Sequence, residues 1–154
     1  MTEVLFYHLT DSALEWASPE ILEKCVERGL RVTLRASSRE RVEALNAHYW
    51  TYREDSFLPH GVAADGDPAT QPIYLTDGAE TPNDPQVLML VDGAEEAPEK
   101  MAPFERVVIM FDGHDAEAVD RARAQWRAVT GAGLKAVYWA QEDRRWVKKA
   151  ESAG

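Results

Sequence analysis

Hydrophobic and polar positions alternate along this chain in a way that switches repeatedly between the strand period and the helix period. Residues 4–9 open with a β-prone apolar run, and Thr10, Asp11 and Ser12 supply side chains able to cap a following helix. In that helix Leu14, Ile21, Leu22 and Cys25 make an apolar stripe, Ser18, Pro19 and Glu20 read as a restart, and Gly29 marks the end. Residues 31–35 predict a second short strand. Ser38 then caps a helix in which Val42, Leu45 and Tyr49 share a face. From 55 to 85 the chain is dense in Pro, Gly and Asp, with Ile73, Tyr74 and Leu75 as the one short strand, which predicts a long surface excursion rather than a domain boundary.

Two unbroken apolar runs follow, 87–91 and 107–111, of the kind that fill strands buried on both faces of a parallel sheet. Between them the acidic, Pro-bearing segment 92–103 has room for a turn or two of helix. A last helix is predicted over about 115–130, stopped by Gly131 and Gly133, and 134–140 is a further strand. The alternation predicts an α/β protein: a three-layer, Rossmann-like fold with a mostly parallel central sheet flanked by helices.

Composition narrows the class. The 154 residues suit one domain, and 45% apolar content with 9% aromatics excludes a disordered chain. No apolar run reaches the roughly 18 residues needed to span a bilayer. The start of the chain has neither a basic segment nor a small-residue cleavage site, and Cys25 stands alone, so a cytoplasmic protein without disulfides is expected. Charge changes the picture more. The net charge is −10, which disfavours direct adhesion to nucleic acid. Yet residues 121–149 hold eight basic side chains against Glu142 and Asp143, a surplus of six positive charges, while residues 1–120 have a net charge of −15. A local basic patch on an acidic body suits a short acidic peptide better than a long polyanion.

Catalytic chemistry finds little support. The first strand-to-helix turn, 8–12, lacks the glycines of a dinucleotide fingerprint, and no phosphate loop accompanies the strand-terminal Asp92 and Asp112, which are read as turn or capping residues. His8, His48, His60 and His114 have no metal-ligand spacing, Asp65 and Asp67 flank a turn glycine, and no cofactor or metal is expected. Cys25 sits on an apolar stripe as a small core residue. There is no GxSxG elbow, and pairs such as Glu95 and Glu96 lie in polar loops with nothing to raise a pKa. The remaining constellation is aromatic and basic. Arg123, Trp126 and Arg127 stand at i, i+3 and i+4 of the last helix and form one triangle of surface. They are either a socket for a carboxylate and an apolar side chain, or a core tryptophan beside solvated arginines. Trp50, Phe57 and His60 form a second cluster that either binds or wedges a loop onto the sheet.

Residues 4–9, then Glu27, Arg28 and Gly29 before Arg31 and Val32, then Trp50 leading to 55–60, then 104–108 and 121–133, resemble in order and spacing the chi subunit of bacterial DNA polymerase III holoenzyme. The resemblance covers nearly the whole chain and departs from it between 61 and 84. It implies a single chi-like domain over 1–149 with a flexible tail at 150–154. It also implies a non-catalytic accessory subunit of the clamp-loader assembly that holds the acidic C-terminal tail of single-stranded DNA-binding protein and meets DNA only indirectly. By the same resemblance the tail pocket comprises Trp50, Phe57, Arg123, Trp126 and Arg127, with Trp126 where the family often has tyrosine, and a psi subunit is a further partner where one exists. The competing class is a degenerate nucleotide-binding or helicase-like enzyme served by Asp92 and Asp112.

Overall fold

The computed structural model describes residues 2–52 and 58–152. They run β1 (Glu3–Leu9), α1 (Leu14–Glu27), β2 (Val32–Arg35), α2 (Arg39–Thr51), β3 (Ile73–Thr76), β4 (Val87–Leu90), β5 (Arg106–Asp112), α3 (Ala116–Gly131), β6 (Lys135–Glu142) and β7 (Arg145–Glu151). Short 3-10 turns at Ala63–Asp65, Pro68–Thr70 and Pro98–Lys100 punctuate the connections. The strands make one sheet in the order β3-β2-β4-β5-β1-β6-β7, parallel throughout except for the antiparallel β6–β7 pair.

The period of two in each strand sorts the core into halves. Leu5, Leu34, Met89 and Val108 face α1 and α2, while Val4, Phe6, Leu88 and Ile109 face α3. The unbroken runs in β4 and β5 are thus the strands covered on both sides, and the expected helices on both faces are present. Ser38 caps α2 by accepting from Arg41 N, and Asp115 caps α3 by accepting from Glu117 N and Ala118 N. The 61–84 excursion is tied down by Asn83, which is fully buried, accepts from Thr33 Oγ1 and donates to the carbonyls of Val32 and Gln71.

Two expectations change at the ends of the sheet. Residues 150–152 are not tail: β7 continues to Glu151, and Ser152 N donates to Ala136 O. Nor do Thr10, Asp11 and Ser12 cap α1, whose N-cap is Ala13 without a side-chain bond. Their backbone amides instead converge on one acceptor, Gln141 Oε1, at 2.9, 2.9 and 3.2 Å, and Asp11 accepts from Arg144 N. The first turn is fastened to the β6–β7 hairpin. Gly113 is required beside it, because its amide bonds to Leu9 O at 2.7 Å and a Cβ there would stand 2.7 Å from that same oxygen.

Candidate functional site

α3 is built from good helix formers, and its buried face is small: Ala118 and Ala122 with Val129. Alanines let the helix settle close against β5 and β6, which brings its flank down to the sheet. On that flank Arg123 and Arg127 are exposed and Trp126 is half-buried. The indole packs edge-on against Phe6 at 5.4 Å and against Tyr138 at 6.0 Å, and those two rings stack at 6.4 Å. An aromatic bed therefore fixes Trp126 from below while its outer edge meets solvent, a geometry in which the ring loses little freedom on contact with a partner. The tryptophan is thus anchored against the core on one side and open to solvent on the other.

The cations above that bed are unneutralised. Neither the Arg123 nor the Arg127 guanidinium makes an ion pair or hydrogen bond among the described residues. Arg123 is close enough to be felt underneath. Burial lowers the His8 pKa, and the positive charge of Arg123 adds to the shift. Burial raises the Tyr138 hydroxyl, and Arg123 opposes that rise. His8 Nδ1 and the Tyr138 hydroxyl are 2.6 Å apart, so the two half-buried polar tips satisfy each other. Phe6 and Tyr138 were not marked by the sequence as part of this cluster, because they reach Trp126 across the sheet rather than along a helix.

Trp50 does not join this site. It lies near the end of α2, which packs on the opposite face and beside β3 at the far edge of the sheet. There it is 51% exposed, with its ring 4.4 Å from that of His60. His60 is buried with its ring nitrogens against the carbonyls of Leu58 and Asn46, so it fastens the segment after α2 to the helix. The single pocket expected from Trp50, Phe57, Arg123, Trp126 and Arg127 is thus divided: three residues cluster on α3, Trp50 stands on another surface with the sheet between, and Phe57 lies outside the described residues. A second open tryptophan missed by the sequence reading, Trp16, is 58% exposed on α1 against the His48 ring.

The crevice outside the carboxyl ends of β1, β4 and β5, where open α/β sheets commonly hold ligands, measures about 520 Å³. Asp92 and Asp112 line it, but in structural roles. Asp92, in a left-handed turn at φ 52°, accepts from Arg41 at 2.7 Å, and Arg41 also reaches Glu15 at 2.6 Å. Asp112 accepts from His114 N. The three amides that could cradle a phosphate are taken by Gln141 Oε1. No helix among the described residues is long and apolar enough to cross a membrane.

The sequence matches the family model of the DNA polymerase III chi subunit, HolC, over residues 1–137. It is similar to the probable DNA polymerase III subunit chi of Rickettsia prowazekii (strain Madrid E), with 30% identity over 117 residues, 73% of this chain and 71% of that protein. The chain belongs to the DNA polymerase III chi subunit family.

Proposed function

We propose that this protein is a non-catalytic adaptor of the DNA polymerase III clamp-loader assembly, and that the α3 flank receives the acidic C-terminal tail of single-stranded DNA-binding protein. The observation that carries the reading is the pair of unneutralised guanidiniums, Arg123 and Arg127, on either side of a half-buried Trp126. Carboxylates at the end of an acidic tail pair with the arginines, and a terminal aromatic side chain packs on the indole edge. Such a contact draws its energy largely from guanidiniums that have no partner among the described residues, and a peptide of a few residues avoids the repulsion that a body of charge −10 imposes on long DNA. Trp50, exposed on the other face, presents its indole where a subunit of the assembly can reach it at the same time.

A titration of the full chain with a labelled acidic peptide ending in phenylalanine tests the reading. Binding in the micromolar class that weakens steadily as salt is raised is expected. Protein that ignores the peptide at low salt sinks it.

A further inference from the structure

On the face of the sheet opposite α3, a groove of about 350 Å³ opens beside α1. Leu5 and Tyr7 of β1, Cys25 of α1, Trp139 of β6 and Trp146 of β7 line it, and the Tyr7 and Trp146 rings meet edge to face at 4.8 Å. Lys24, Arg28 and Arg106 share the lining, and the side chain of none of them forms an ion pair or hydrogen bond among the described residues. Burial raises the pKa of the Tyr7 hydroxyl and of the Cys25 thiol, and Arg106 and Arg28 oppose both rises, so the two guanidiniums act on the groove interior.

Open aromatic surface combined with uncompensated cations matches a ligand with the reverse properties, negative charge and apolar bulk. We propose that this groove is a second peptide-binding site, independent of the α3 flank, that takes an extended acidic peptide carrying one large apolar side chain. The three cations hold carboxylates, and the Trp139 and Trp146 side receives the apolar group. A long nucleic acid is disfavoured, because the cations are few and the chain around them is net negative. Trp139 and Trp146 lie past residue 137, where the family match ends, so part of the groove is supplied by a hairpin this chain carries beyond the matched region.

The test uses the full chain in an Arg123→Ala/Arg127→Ala background, which silences the α3 flank. The probe is a fluorescein-labelled peptide, Glu-Glu-Asp-Trp-Asp-Glu, amidated at its C-terminus. Lys24 and Arg28 are exposed, so reversing both to Glu leaves the core alone, and circular dichroism confirms the fold. Saturable binding is expected, weakened about tenfold or more by the double reversal and by a smaller factor in Trp146→Ala. Absence of binding in the α3-silenced background overturns the proposal, as does binding that the charge reversal leaves unchanged, or preferential competition by a single-stranded oligonucleotide.

Discussion

The crevice at the carboxyl ends of the strands and the flank of α3 are both polar, and they differ in how far their polar groups are already satisfied. In the crevice Arg41 is held by Glu15 and Asp92, Asp112 and Asp115 accept from backbone amides, and Gln141 fills the cluster of three N–H groups in the first turn. On α3, Arg123 and Arg127 stand open beside an anchored Trp126. A ligand entering the first region competes with most of these bonds, with Arg121 and Gln125 Nε2 left over there, whereas one reaching the second meets two guanidiniums that have no partner among the described residues. Residual bonding capacity, more than cavity size, separates scaffold from the proposed recognition surface here.

The largest expected effect attacks the bed beneath the flank. Phe6 is fully buried under Trp126 and Tyr138, so Phe6→Ala costs about 3–5 kcal/mol in denaturant unfolding and releases the indole, lowering tail-peptide affinity as well. A Phe6→Ala protein of unchanged stability contradicts the packing. Gln141→Ala probes the other region: it orphans three amides and costs about 1–3 kcal/mol, while tail-peptide affinity stays unchanged. Parallel loss of peptide binding in that variant erases the separation between the two regions.

A smaller effect is legible in pH. Burial depresses the folded-state pKa of His8, so the native protein resists a proton that the unfolded chain accepts. The sign follows from linkage: stability is unaffected above the unfolded value of about 6.5 and falls as pH drops below it. Unfolding measured at pH 7 and pH 5 is expected to show a smaller loss in His8→Asn than in the parent. An equal loss removes His8 from the explanation.

Much of the fold was readable because buried parallel strands and amphipathic helices carry strong periods. Runs 87–91 and 107–111 occupy two adjacent strands at the centre of the sheet, and Ser38 and Asp115 begin their helices as their side-chain chemistry suggests. β7 was hidden for physical reasons. It is a mostly exposed edge strand whose Lys148 and Lys149 resemble solvated charge, and its hairpin turns through Asp143 and Arg144, both at positive φ, without the glycine that normally announces such a turn. The helical spacing of Arg123, Trp126 and Arg127 placed them together correctly, because the relation is local. Phe6 and Tyr138 join them only through sheet pairing, and Trp50 is parted from them by the same sheet, relations that no spacing along the chain encodes.

The division between the two faces is tested most directly by titrating the acidic, phenylalanine-ended peptide against Arg123→Ala and Trp50→Ala side by side, with melting curves as the folding control. Arg123→Ala is expected to bind about tenfold to a hundredfold more weakly at unchanged stability, the usual consequence of losing a charge-assisted contact, and Trp50→Ala to bind like the parent. Equal weakening in both variants, or none in Arg123→Ala, would contradict a tail site confined to α3.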